Sequence, residues 1–241
     1  MCRHVAHLGH PTSLSALLLD PPHGLLHQSY APRRQRHGRL NADGFGVGWW
    51  VDGELARYRR DRPLWSDTSL PSFGPTVRSG CALAAVRSAS AGMPGGEEAG
   101  APFLLGGGVL LSHNGFVPEV GAALGNLGSS VELASIGSTV DSAFVGALVQ
   151  QRLGAGVPLG QALAETVQLV ADRAPGARLN LLAADGHELA ATRWGDTLVV
   201  RSGAGGIAIA SEPGDDEPGW QDVPEHSLIT ATPDGLAVVT L

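Results

Sequence analysis

The 241-residue chain is 43% hydrophobic and 16% charged, with a formal net charge of −7. That apolar content suffices for a packed core, and an acidic balance with no basic block beyond Arg33-Arg34-Gln35-Arg36 argues against general nucleic-acid binding. No segment is apolar for long enough to span a bilayer and Cys2 to Leu8 is unlike a signal peptide, so no membrane association or export is expected.

In chain order, Cys2 to Leu8 alternates loosely and predicts a strand, and Thr12-Ser13 offers a cap for a helix carrying Leu14, Leu17 and Leu18. Gly44 to Val51, the turn Asp52-Gly53 and Glu54 to Tyr58 form a hairpin signal. Further strands are predicted at Cys81 to Val86, Val109 to Ser112, Arg178 to Ala184, Glu188 to Trp194, Thr197 to Arg201, Ile207 to Ala210 and Leu236 to Thr240, with turns at Asp185-Gly186 and Pro233-Asp234-Gly235. Two helices stand out, Asp141 to Arg152 and Leu159 to Ala174, the latter closed by Pro175-Gly176. The Gly/Glu stretch Ala91 to Gly100 and the Gly/Ser stretch Gly121 to Gly137 read as loops. The expectation is one α+β domain over residues 2–241, with largely antiparallel sheets and helices on their outer faces. Gly44-Phe45-Gly46-Val47-Gly48 is not a dinucleotide loop, because sheet rather than helix follows it; its glycines are expected to permit close approach of a backbone or ligand.

Chemistry is concentrated at few positions. Removal of Met1 would leave Cys2 carrying both a thiol and an α-amine, a nucleophile and a base on one residue, which suits acyl transfer. Cys2 and Cys81 are the only cysteines; a disulfide would consume the nucleophile, so a reducing cytoplasm fits better. His113-Asn114-Gly115 ends an apolar strand, where Asn114 Nδ2 and the Gly115 N–H can receive an oxyanion, although Asn-Gly is also a common turn dipeptide. Arg87 ends another apolar strand and suits either a substrate carboxylate or a surface ion pair. Asp141 suits either a substrate ammonium or the positive end of its helix. Neither Cys-x-x-Cys pairs nor His-Glu-x-x-His occurs, and no metal or cofactor is expected.

Taken in order, Cys2, Asn41-Ala42-Asp43-Gly44-Phe45-Gly46, Arg87 with Ser88-Ala89-Ser90-Ala91-Gly92, His113-Asn114-Gly115 and Thr139-Val140-Asp141-Ser142 resemble the N-terminal-nucleophile (class II) glutamine amidotransferases. The resemblance implies a four-layer αββα sandwich of two sheets, Cys2 as nucleophile, Asn114 and Gly115 as the oxyanion hole, and Arg87 and Asp141 as binders of the glutamyl α-carboxylate and α-amine, with His113 beside them as a further substrate-binding candidate. Ser88, Ser90 and Ala143 stand where the family usually has an aromatic residue, a threonine and an acid.

Pro21-Pro22-His23-Gly24-Leu25-Leu26, Gln28-Ser29-Tyr30-Ala31-Pro32-Arg33-Arg34, Arg62-Pro63-Leu64-Trp65, Ala177-Arg178-Leu179-Asn180 and Ser211-Glu212-Pro213 extend the likeness along the whole chain, toward the γ-glutamyl amidohydrolases of the ergothioneine pathway. This implies a small-molecule γ-glutamyl substrate, γ-glutamyl-hercynylcysteine sulfoxide, and hydrolysis without metal or organic cofactor. A cationic and carboxylated leaving group would suit aromatic faces and arginines, which makes Tyr30, Arg33, Arg34, Phe45, Trp49 and Trp50 candidates; packing of the tryptophans on opposite faces of a strand and solvation of the arginines are the competing readings. Hydrolysis of another γ-glutamyl compound such as glutathione, a glutaminase feeding a separate synthetase, and a catalytically silent binding module remain as alternatives, and the sequence leaves the oligomeric state open.

Overall fold

The computed structural model describes residues 2–89, 94–125 and 130–241, the last span from the backbone alone at 130–132. Along the chain run β1 (Arg3–Ser13), α1 (Leu14–Leu18), α2 (Leu25–Tyr30), β2 (Phe45–Val51), β3 (Glu54–Arg60), α3 (Leu70–Phe73), β4 (Arg78–Val86), β5 (Phe103–Leu105), β6 (Val109–Phe116), α4 (Val120–Leu124), α5 (Ser130–Ile136), α6 (Asp141–Gly154), α7 (Leu159–Arg173), β7 (Arg178–Ala184), β8 (Leu189–Arg193), β9 (Val199–Gly203), β10 (Gly206–Ala210), β11 (Gln221–Asp222), β12 (Ser227–Thr232) and β13 (Gly235–Thr240).

Among the described residues the strands form two sheets, a seven-stranded one ordered β11-β9-β10-β1-β4-β2-β3 and a six-stranded one ordered β13-β12-β8-β7-β6-β5. Every strand pair in them is antiparallel.

The layering follows from side-chain alternation. In β4, Cys81 and Leu83 enter the core between the sheets, while Ala82, Ala84 and Val86 face an outer core with Leu14 and Leu18 of α1, Leu25 of α2 and Leu70 of α3. In β6 and β7, Leu110, Leu182 and Ala184 enter the same inter-sheet core, while Leu111, Leu179, Leu181 and Ala183 face Val145, Leu148 and Val149 of α6 and Leu163, Val167 and Val170 of α7. A strand buried on both faces reads as an unbroken apolar run, which is why these segments were the plainest in the sequence. The result is helix, sheet, sheet and helix, the αββα sandwich.

The hairpin between β2 and β3 pairs Val51 with Glu54, and Asp52 and Gly53 both have positive φ, 52° and 81°, as a tight two-residue hairpin requires. Gly46 meets the expected close approach of a backbone, since a Cβ there would lie 2.4 Å from Ala101 O, whereas Gly48 makes room for a side chain, Leu110 Cδ1 of the other sheet at 2.3 Å.

Several segments differ from expectation. β1 continues to Ser13, directly into α1, whose cap is Ser13 Oγ accepting the Ala16 N–H. The Gly/Ser stretch read as a loop contains α4 and α5; Leu124 and Leu133 pack on α6 and α7, and that burial outweighs the poor helix propensity of the surrounding glycines. Of the Gly/Glu stretch, residues 90–93 lie outside the described residues, and Glu97–Ala99 forms a single 3₁₀ turn. α2, β5 and β12 had no sequence expectation. No helix among the described residues is long and apolar enough to cross a membrane.

Candidate active site

One end of the sandwich collects the candidate side chains. The first pair of β1 with β4 joins Arg3 to Val86, so Cys2 and Arg87 lie just beyond the same sheet end. In the second sheet β6 reaches that end as His113, Asn114 and Gly115, and α6 begins there with Asp141. Cys2, Arg87, Ser88, His113, Gly115 and Asp141 line one cleft.

Arg87 is 7% exposed; its Nη2 donates to Pro94 O at 2.7 Å and its Nη1 to Asp43 O at 3.4 Å. Among the described residues no carboxylate pairs with it. A nearly buried guanidinium whose described partners are carbonyls has no counter-charge of its own and can take an incoming anion. Asp141 Oδ2 accepts the Val117 N–H at 3.1 Å and Oδ1 the Ser142 N–H at 2.8 Å, which fixes the carboxylate while leaving lone pairs free at the cleft. The cleft therefore carries a fixed cation and a fixed anion.

His113 is bonded through both ring nitrogens, Nε2 to Arg178 O at 2.8 Å and Nδ1 to Ser142 Oγ at 3.0 Å. Since a carbonyl only accepts, Nε2 carries a proton. His113 thus forms the wall behind Gly115, where a Cβ would sit 2.3 Å from its Nε2 and 1.9 Å from Arg178 O. No side chain fits at residue 115. Asn114 is fully buried beside the cleft, its Nδ2 3.5 Å from Ser211 Oγ. Cys2 is half-buried and its thiol free, and among the described residues no group of three or more His, Cys, Asp or Glu is arranged to hold a metal ion.

No protein-family model matches the chain. The chain is 51% identical over its whole length to a γ-glutamyl-hercynylcysteine sulfoxide hydrolase of Mycolicibacterium smegmatis, covering 99% of that protein. It is 46% identical to the hydrolase of the same name from Mycobacterium tuberculosis, covering 97% of it. The chain belongs to the γ-glutamyl-hercynylcysteine sulfoxide hydrolase family. Its fold is that of a glutamine aminotransferase class-II domain protein from Silicibacter pomeroyi, with a TM-score of 0.68 at 22% identity and coverage of 100% of this chain and 99% of that one.

As a member of this hydrolase family the chain must also accommodate a leaving group, and here the sequence candidates disperse. The cleft lining among the described residues includes none of Tyr30, Arg33, Arg34, Phe45 and Trp49. Phe45 is 1% exposed and, with Val47 and the partly buried Trp49, packs in the outer core; Trp50, one residue on, packs in the inter-sheet core. Alternation along β2 accounts for both tryptophans. Tyr30 is exposed, in edge-to-face contact with His27 and Trp65. Arg33 pairs with Asp216 at 2.7 Å and Arg34 with Asp222 at 2.7 Å, so both guanidinium charges are already matched at the surface.

Those two pairs are part of a larger tether that the sequence did not disclose. The fully buried Glu212 carboxylate accepts the backbone N–H groups of Arg33 at 2.8 Å and Arg34 at 2.7 Å, and Gln35 Oε1 accepts from Arg3 Nε at 3.1 Å and Asn41 Nδ2 at 2.9 Å. The beginning of the 31–40 loop is thereby strapped to the strand that follows Cys2. Farther along it, a Cβ on Gly38 would lie 4.0 Å from Ser88 Oγ, a cleft-lining residue. Between and beyond these ties, Arg36 and Arg39 are exposed and make no hydrogen bond or ion pair among the described residues.

Behind Cys2, His4 is fully enclosed between the sheets, its Nδ1 3.2 Å from Ser112 Oγ. Burial, with Arg3 and His113 adding to it, pushes its pKa down from 6.5 to about 3. Folded His4 stays neutral where unfolded His4 would be protonated, so the unfolded state binds more protons between those values and stability falls as pH drops through that window. Urea unfolding is expected to cost a few kcal/mol less at pH 4 than at pH 7, with no such loss between pH 7 and 8. His4→Gln should flatten the acid side of the curve. The same acid slope in both proteins would assign the loss to other groups.

Proposed function

We propose that the chain hydrolyses the γ-glutamyl amide of γ-glutamyl-hercynylcysteine sulfoxide, releasing glutamate and hercynylcysteine sulfoxide, through a thioester on Cys2. The observation that carries the reading is the cleft itself, where Cys2, Arg87, Asp141 and Gly115 line one cavity with Asn114 immediately beside it. Membership of the hydrolase family supplies the leaving group.

Arg87 takes the α-carboxylate of the glutamyl head and Asp141 its α-ammonium, which turns the γ-carbonyl toward Cys2. With Met1 removed, the Cys2 α-amine accepts the thiol proton and Sγ forms a bond to the γ-carbonyl carbon. The carbonyl π pair becomes an oxyanion, which the Asn114 Nδ2–H and the Gly115 N–H stabilise. Collapse breaks the C–N bond, and the leaving amine takes the proton held by the α-ammonium of Cys2. Water then adds to the thioester with the α-amine again as base, and release of glutamate returns the thiol. A reducing cytoplasm suits a free thiol that must stay unoxidised.

On the leaving side, Arg36 and Arg39 are better candidates than Arg33 and Arg34. Their charges are unmatched and their loop approaches Ser88, whereas Asp216 and Asp222 neutralise the other two. Carboxylates of the departing amino-acid portion are the groups they suit.

The test is a mass-resolved cleavage screen of purified enzyme against the sulfoxide, glutathione, γ-glutamyl amines and glutamine. The sulfoxide is expected to be cleaved with the highest kcat/KM. Good turnover of glutathione with none of the sulfoxide would keep the thioester chemistry and overturn the substrate. Ammonia release from glutamine dependent on a second protein would point instead to a glutaminase subunit.

A further inference from the structure

Asn114 belongs to the six-stranded sheet and Cys2 precedes the first strand of the other, so something must hold the two in register across the sandwich. The described structure has one such link at Asn114. Ser211, immediately after β10, is fully buried, and its Oγ accepts the His4 N–H at 3.0 Å and lies 3.5 Å from the Asn114 Nδ2 donor.

Ser211 is itself rigidly held. Its N–H donates to His4 O at 2.9 Å and its carbonyl accepts the Thr197 hydroxyl at 2.8 Å. His4 is two residues from Cys2, so the hydroxyl is tied to the strand that follows the nucleophile on one side and to the Asn114 carboxamide on the other. On the Asn114 side chain it stands alone: Oδ1 is buried without a hydrogen-bond partner among the described residues. Nδ2 carries two protons. One is directed to Ser211, which leaves the second for the oxyanion.

We infer that Ser211 is a positioning residue, which sets the Asn114 amide against Cys2 by bridging the two sheets. The inference rests on the oxyanion role given to Asn114 above. At 3.5 Å the Asn114–Ser211 contact is long, as catalytic hydrogen bonds often are before the transition state draws them in. Without the hydroxyl the carboxamide loses its one described partner and its aim. A misplacement of about 1 Å is enough to cost on the order of 10²-fold in rate.

Ser211→Ala is therefore expected to lower kcat by about 10- to 100-fold with KM changed less than about twofold, because the glutamyl head is bound by other residues. Alkylation of Cys2 should proceed at the wild-type rate. Ser211→Cys, nearly isosteric but a poor acceptor, is measured beside it so that a packing defect of the alanine does not decide the result, and Ser211→Thr should recover most of kcat. The deciding measurement is the double variant: Ser211→Ala with Asn114→Ala should be no slower than Asn114→Ala alone, since a residue acting through Asn114 has nothing left to position. Wild-type kcat in both Ser211→Ala and Ser211→Cys, or losses that multiply in the double variant, would overturn the inference while leaving Asn114 in its role. Wild-type turnover of Asn114→Ala would instead remove the oxyanion role and the inference together.

Discussion

Cys2→Ala is expected to abolish turnover, by about 10⁶-fold where the assay reaches that far, while leaving a folded protein that still binds substrate. The size of the effect follows from removing the nucleophile on which every turnover depends. Alanine keeps the amine and removes only the thiol, so the variant isolates covalent catalysis. Rapid quench of the wild-type enzyme with the sulfoxide should trap a glutamyl adduct on the N-terminal residue, detectable by mass spectrometry.

The second cysteine is an internal control. Cys81 is 3% exposed in the inter-sheet core, and burial pushes its thiol up to about 12, so it is protonated throughout the working range and inert as a nucleophile. Iodoacetamide at pH 7.5 should label Cys2 and spare Cys81. The same experiments bear on processing: active enzyme should begin at Cys2, because a retained Met1 would convert the base into an amide. Full activity in Cys2→Ala, or active enzyme whose intact mass retains Met1, would refute the mechanism.

How much of this was legible beforehand differs between elements for physical reasons. β4, β6 and β7 are buried on both faces, so apolar runs marked them, although β4 begins earlier, at Arg78, and β6 continues through the polar His113-Asn114-Gly115 to Phe116; α6 and α7 are long enough for helical spacing and end signals to speak. α2 has six residues behind Pro21-Pro22, and β12 carries Ser227, Thr230 and Thr232, so neither offers a contrast in hydropathy. Both are held by tertiary contacts that no local pattern announces.

The site divides in the same way. Cys2, Arg87, Asn114, Gly115 and Asp141 stood out as candidates through the order of their segments, which carries the family resemblance, and the fold brings Cys2, Arg87, Gly115 and Asp141 to one cleft. Ser211, His4 and Glu212 were not assigned roles, because theirs come from pairing: His4 meets Ser211 only because β1 lies against β10, across a sequence separation of 207 residues. The Ser211-Glu212-Pro213 run was visible as part of the resemblance, without any sign of what its hydroxyl and carboxylate hold. Phe45 and Trp49 illustrate the opposite error. Their aromatic character suggested ligand contact, but the strand register turns both toward the α1–α3 side.

Removal of either charge from the glutamyl pocket is expected to lower kcat/KM by about 10²- to 10³-fold. Arg87 donates only to carbonyls and Asp141 accepts only from Val117 and Ser142 in the described structure, so the groups that would neutralise them are those of the substrate. Losing one partner of such an enclosed charge pair typically costs about 2–5 kcal/mol, much of it the penalty of leaving the other charge unpaired. Arg87→Lys should restore only part of the loss, because an ammonium cannot make the two parallel bonds that a guanidinium offers a carboxylate. Asp141→Asn keeps an acceptor for the Val117 N–H and removes only the charge; at the first position of α6 it should also cost about 0.3–1 kcal/mol of stability, too little to unfold the protein. Substrate analogues make the assignment specific. Wild-type enzyme should discriminate strongly against a γ-glutamyl amide lacking its α-carboxylate, and Arg87→Ala should lose that discrimination while keeping the discrimination against an analogue lacking the α-amine; Asp141→Ala should behave the other way round. Unchanged kinetics in both alanine variants would remove these residues from the pocket, and loss of both discriminations in each variant would mean that the pocket depends on their mutual arrangement rather than on two separate contacts.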